Sequence, residues 1–238
     1  MKLSVVKLGF IEYQTALDLQ FKINKLSQQK AIENILLLLE HPPVITIGVN
    51  GKKNNNILVD EEFLIDQGVN IYQSNRGGDI TYHGPGQIVG YPILNLNDLG
   101  KDLKDYVRRL EEIFIYLLKE EYNLIAHRNP GFPGVWTGDD KITALGCSVK
   151  RWVTMHGFAF NVNTNLEHFL WINPCGFRDK GVTSLQRLLG APQDMDCTMD
   201  IVIKYFAAVF RMEYEGIEKE AFLNRIEELS KQYDKQDY

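Results

Sequence analysis

The chain has 238 residues, of which 45% are hydrophobic and 24% charged, which excludes the disordered, collagenous and low-complexity classes. Its 26 basic and 31 acidic residues leave a net charge of −5, unsuited to general nucleic-acid binding. Three cysteines, Cys147, Cys175 and Cys197, with no C-x-x-C pair, argue against a disulfide framework and a structural zinc site, and for a reducing compartment.

In chain order, Val5 to Tyr13 reads as a strand and Thr15 to Ile32 as a helix, with Ala16, Leu17, Leu19, Ile23 and Leu26 at near-helical spacing. Asn34 to Glu40 is short and almost uniformly apolar, the pattern of a buried strand, and His41-Pro42-Pro43 ends it. Its Ile35–Leu39 run is the longest purely aliphatic stretch and is too short to cross a bilayer. The N-terminus lacks the apolar core of a signal peptide, so a soluble cytoplasmic protein that does not engage a membrane is expected. Val44 to Gly48 is a second strand, Lys52 to Asn56 a polar loop and Val59 to Gln67 a short helix. Ser74 to Gly90 is dense in glycine, and Tyr91 to Leu96 resumes strand character. The clearest helix is Asp102 to Tyr122, where Leu103, Val107, Leu110, Phe114 and Leu117 form one stripe. Leu124 to Phe160 reads as strands broken by turns, and the tail from Thr198 as two helices, the second near Glu218 to Gln232. Strands and helices mix without regular alternation, which predicts an α+β domain with a mixed or antiparallel sheet flanked by helices. One domain over 1–238 is expected, with the helices at about 198–235 as a small cap.

Three segments carry chemistry. Arg76-Gly77-Gly78-Asp79-Ile80-Thr81-Tyr82-His83-Gly84-Pro85-Gly86-Gln87 is either a glycine-rich hairpin with a hydrogen-bonded histidine or a loop whose backbone approaches a ligand. It matches neither a Walker phosphate loop nor a dinucleotide fingerprint. Pro133-Gly134-Val135-Trp136 leads through a turn to Lys141, which is either a surface lysine or a partly buried one able to exchange protons. Asn173-Pro174-Cys175-Gly176 bends the chain at Cys175, which is either idle or presented to a cleft. Cys147 sits inside a strand as a small hydrophobe, and Cys197 has acidic neighbours that disfavour a thiolate. His156 either lines a pocket or satisfies a core polar position, His41 shapes a turn, and no cluster has metal-ligand spacing.

Together these segments resemble the octanoyltransferases of lipoate biosynthesis, also called lipoate–protein ligase B. The matching residues are Arg76-Gly77-Gly78, Thr81 to Gln87, Pro133 to Trp136, Lys141-Ile142 with Leu145-Gly146, His156-Gly157 with Asn161-Val162-Asn163, and Asn173 to Gly176. The resemblance implies the fold of the biotin and lipoate ligase catalytic domain. It implies transfer of an octanoyl group from octanoyl-acyl carrier protein to a lysine of lipoyl domains, those of 2-oxoacid dehydrogenase complexes and the glycine-cleavage H protein. The acyl-thioester cysteine then falls on Cys175 and its partner on Lys141. The substrate-binding stretches fall on Arg76, Gly77, Gly78, Asp79, Ile80, Thr81, Tyr82 and His83, on Ala144, Leu145 and Gly146, and on Gly157, Phe158 and Ala159. No metal or cofactor is implied, and no coiled-coil stripe is visible, so a monomer is expected. An ATP-dependent lipoate or biotin ligase of the same fold is the alternative, and a non-catalytic binding module a more distant one. An acidic carrier protein would meet a local basic patch, for which Lys150, Arg151, Arg178 and Arg187 are the candidates.

Overall fold

The computed structural model describes residues 1–51, 56–173 and 181–234. Their twelve strands are β1 (Lys2–Phe10), β2 (Asn34–Glu40), β3 (Val44–Ile47), β4 (Asn70–Gln73), β5 (Ile80–His83), β6 (Gln87–Ile93), β7 (His127–Asn129), β8 (Phe132–Thr137), β9 (Asp140–Lys150), β10 (Val153–Asn161), β11 (Gly181–Val182) and β12 (Glu213–Gly216). The six α-helices are α1 (Tyr13–Gln28), α2 (Glu61–Asp66), α3 (Leu103–Tyr122), α4 (Leu185–Leu189), α5 (Met195–Phe210) and α6 (Lys219–Asp234).

The main sheet runs β12-β1-β2-β6-β10-β9-β8-β7, with β11 paired to β9, and a small sheet runs β4-β3-β5. β1 is parallel to both β2 and β12, and β2, β6, β10, β9, β8 and β7 alternate antiparallel, so the sheet is mixed as expected.

The period of 2 along β2 explains its uniform apolarity. Leu36 and Leu38 enter a core with Phe114 of α3 and Phe206 of α5, while Ile35, Leu37 and Leu39 enter a second core with Ile23 of α1 and Phe222 of α6. A strand covered on both faces has no place for a polar side chain.

Boundaries shift where backbone geometry outweighs pattern. Tyr13 begins α1 rather than closing β1, because its ring is buried with Leu17, Val44 and Met155. α1 stops at Gln28, and Lys30 takes a φ of +57°, which ends the helix before Ile32. The glycine-dense stretch contains β5 and the start of β6. α3 is capped by Asp102, whose side chain accepts from Lys104 N at 2.8 Å and Asp105 N at 3.0 Å.

The two C-terminal helices do not sit together as one cap. α5 packs against α3, and α6 packs against α1. Between them β12, an exposed strand with no apolar alternation, extends the main sheet beside β1. The α6 residue Arg225 grips Glu33 with both guanidinium nitrogens, at 2.8 and 2.9 Å, and this holds the Glu33 carboxyl down at about 2.

Candidate active site

A cavity of about 970 Å³ opens between β9 and β10 of the main sheet, the loop entering β5, the N-terminal turns of α3 and the 169–173 segment.

The loop before β5 is stitched down on two sides. Gly48 N donates to Asp79 O at 2.7 Å, Val49 N to Arg76 O at 3.1 Å and Asn50 N to Gly78 O at 3.1 Å. Arg76 is buried, and its guanidinium donates to Thr46 Oγ1 at 3.0 Å, Thr46 O at 2.6 Å and Gly77 O at 3.1 Å. Arg76 therefore builds the loop as well as lining the cavity. On the other side Gly77 N donates to Cys147 O at 2.9 Å, joining the loop to β9. A β-carbon on Gly77 would stand 2.9 Å from that same carbonyl, so glycine is needed for the approach. We expect Gly77→Val to push the loop off β9 and lower kcat/KM at least about tenfold, because misplacement of about an ångström is costly to a positioned site. Unchanged steady-state kinetics in this variant would refute the role given to the approach.

The cavity brings together Arg76, Gly77, Gly78, Asp79, Ile80, Thr81 and His83 with Lys141, Ala144, Leu145, Gly146, Gly157, Phe158 and Ala159. Tyr82 is the exception. Strand alternation turns it away from Thr81 and His83, and its hydroxyl meets His168 Nδ1 at 2.6 Å beneath Phe169. Tyr82 thus anchors the 169–173 wall and is not itself part of the lining. Cys175 and Arg178 lie outside the described residues. Lys150 and Arg151 stand at the end of β9 away from Lys141, nine or more residues along the strand, about 30 Å. The structure does not gather them with Arg187 into one patch at the Lys141 end.

Sequence reasoning did not foresee the polar floor. His41 donates through Nδ1 to Ile11 O at 2.6 Å, so its Nε2 accepts from Tyr91 Oη at 2.7 Å. Gln87 spends its amide protons on Tyr82 O and Asn161 Oδ1, so its Oε1 accepts from His83 Nδ1 at 2.7 Å. This fixes the tautomer that leaves His83 Nε2 as an acceptor. His156 holds Asn75 Oδ1 at 2.6 Å with Nε2 and adopts a φ of +56° inside β10, a conformation that L residues seldom take and that concentrates at functional sites. It both lines the cavity and satisfies a buried polar position, so the two readings of His156 hold together.

Burial holds all three imidazoles neutral. It lowers His83 to about 3, aided by His41 and Arg76, and His41 and His156 to about 4. Below pH 6.5 the unfolded chain therefore binds protons that the folded chain refuses, and stability falls as the pH drops toward 4. Each histidine contributes on the order of 1–3 kcal/mol to that loss. The Glu33 contribution is lost only between 4.5 and about 2, a lower window. We expect the melting temperature to drop measurably between pH 7 and pH 4.5; a flat profile over that range would count against three neutral imidazoles.

Lys141 is the second residue of β9 and is half-buried on the cavity wall. Its Nζ donates to Pro133 O at 3.2 Å and lies 4.8 Å from the Trp136 ring centre. Carbonyl oxygen and ring face both attract a cation. Its register partner in β11 is Val182, and Thr183 N donates to Lys141 O at 3.0 Å. Asn173 and Gly181, the described residues on either side of 174–180, both line the cavity.

The other two thiols are disfavoured as nucleophiles. Burial pushes Cys147 up to about 12, and Asp194 raises the exposed Cys197. Among the described residues no group of three His, Cys, Asp or Glu could hold a metal, and no helix is long and apolar enough to cross a membrane.

A mixed sheet flanked by helices, with a cavity at the junction with a small sheet, is the fold shared with lipoate-protein ligases. A lipoate-protein ligase A bound with ATP superimposes with a TM-score of 0.74 over 97% of this chain and 95% of its own, at 17% identity. In sequence, the octanoyltransferase of Desulforamulus reducens is 61% identical over 92% of this chain and 95% of its own length. That of Caldicellulosiruptor saccharolyticus is 55% identical over 92% and 94%. Residues 12–207 match the family model described as the lipoyl protein ligase A/B catalytic domain, and the chain belongs to that family. It is an acyltransferase, and its reaction is octanoyl transfer in protein lipoylation.

Proposed function

We propose that the transfer runs through an acyl-thioester on Cys175, with octanoyl-acyl carrier protein as donor and a lysine of a lipoyl domain as acceptor. The observation that carries this reading is the convergence on one cavity of Lys141, its β11 neighbour Val182, and the residues Asn173 and Gly181 that bound the segment holding Cys175. The Cys175 thiolate attacks the thioester carbonyl. A new C–S bond forms, the donor's C–S bond breaks, and the carrier thiolate leaves and takes its proton from the Lys141 ammonium, which becomes the neutral amine. The acceptor amine then attacks the Cys175 thioester, a C–N bond forms and the thiolate departs, while the amine's proton passes to a neutral Lys141. An amide is more stable than a thioester, so the sequence runs without nucleotide. The neutral floor of His83, His156 and Tyr91 keeps charge away from the acyl chain.

The chain acts in this reading as one catalytic domain, monomeric and cytoplasmic, on the lipoyl domains of 2-oxoacid dehydrogenase complexes and the glycine-cleavage H protein. The test is intact mass after mixing with octanoyl-acyl carrier protein. A gain of one octanoyl group, mapped to Cys175 and lost on adding a lipoyl domain, is expected. Transfer from free octanoate with ATP, with no adduct from the carrier protein, would establish the ligase alternative instead.

A further inference from the structure

The Pro133-Gly134-Val135-Trp136 stretch stands out in the sequence, and the structure shows that it forms the seat of Lys141. Trp136 Nε1 donates to Phe132 O at 3.2 Å, which fixes the indole under the ammonium. Gly134 has a φ of +137°, and a β-carbon there would lie 2.6 Å from Thr143 O and 3.2 Å from Lys141 Cε. Glycine is thus required both for the backbone and for the lysine stem to pass.

Pro133 C=O and Gly134 N–H belong to one planar peptide unit. On one side its oxygen accepts from Lys141 Nζ at 3.2 Å, and on the other its N–H donates to Glu111 Oε1 at 3.1 Å. Glu111 is buried in the middle of α3 among Leu110, Phe114 and Leu118, where a carboxylate is costly unless paired. Its second oxygen accepts from Arg128 Nε at 3.0 Å, so the carboxylate is held between a guanidinium and this one amide. A charged acceptor on the N–H polarises the peptide and makes its carbonyl a stronger partner for an ammonium.

We propose that Glu111 is a positioning residue for Lys141, acting through the peptide unit that joins Pro133 to Gly134. The proposal rests on the role given to Lys141 above. Glu111→Leu removes the acceptor, and Glu111→Gln keeps an oxygen at the same place. With folding checked by thermal melting, Glu111→Leu is expected to lower kcat about 10- to 100-fold with KM little changed. It should also slow alkylation of Cys175 near neutral pH toward the rate of Lys141→Ala. Glu111→Gln should recover most of both. A fall in stability alone would move neither the alkylation rate nor its pH profile. If Glu111→Leu fails to fold, the decision passes to Glu111→Asp, which keeps a charge for Arg128 but withdraws the acceptor from Gly134, in the presence and absence of Lys141: its slowing of alkylation must vanish in Lys141→Ala, because residues acting through one another are not additive. A folded Glu111→Leu with unchanged kcat and alkylation, or an Asp effect that is absent or persists without Lys141, overturns the proposal while leaving an inactive Lys141→Ala intact. A fully active Lys141→Ala would overturn the underlying reading and this proposal with it.

Discussion

Cys175→Ala is expected to abolish octanoyl transfer, a loss of at least about a thousandfold, because no other thiol can replace an obligatory nucleophile. Cys147→Ala and Cys197→Ala should keep most of the activity. Cys147 is half-buried on β9 with its thiol pushed up to about 12, and its Sγ contacts Gly157 O at 3.8 Å. Cys197 lies in the first turn of α5, where its own N–H is held by Asp194 and the nearby carboxylate disfavours a thiolate. The measurement is single-turnover transfer with each variant. Substantial activity in Cys175→Ala, or abolition by either of the other replacements, would remove the thioester route through Cys175.

Lys141→Ala should cost about 100- to 1,000-fold, more than replacement of any other lysine. An ammonium about 4 Å from a thiolate attracts it by roughly 4 kcal/mol at an effective dielectric near 20, before desolvation takes part of this back. Even a fraction of that stabilises the thiolate by a unit or more of pKa. Alkylation of Cys175 should therefore slow in Lys141→Ala. Lys141→Arg should restore alkylation in part but not transfer, because a guanidinium keeps its proton and cannot relieve the incoming amine. The narrow seat sharpens this test, since Gly134 leaves room for a slim methylene stem and Pro133 O offers one acceptor. Full transfer by the arginine variant would show that Lys141 supplies charge only.

The mixed fold, the buried β2 and the run of site segments were legible in the sequence because each depends on local signals: apolar period, glycine clusters and ordered motifs. What escaped depends on partners distant in the chain. Nothing near His41 announces Tyr91, which lies 50 residues on, or that burial would hold its ring neutral. Tyr82 shares a motif with Thr81 and His83, yet strand alternation sends it to His168. Glu111 interrupts an amphipathic helix and looks like an ordinary polar residue until Arg128 and Gly134 close around it. β12 was invisible because Glu213, Tyr214, Glu215 and Gly216 are all exposed, and only pairing with β1 makes them a strand.

The double covering of β2 has a consequence for how the molecule comes apart. Its alternate side chains are shared between the α3/α5 layer and the α1/α6 layer, so stripping away either layer exposes half of the same strand to water. Neither layer can melt as an independent foldon, and the main sheet with its helices opens as a unit. Phe169 and Ile172 of the cavity wall belong instead to the separate cluster under the small sheet, with Ile45, Leu64 and Ile80. The strand that carries Lys141, anchored through Ile142 in the α3/α5 layer, and the cavity wall of Phe169 and Ile172 therefore rest on physically separate cores.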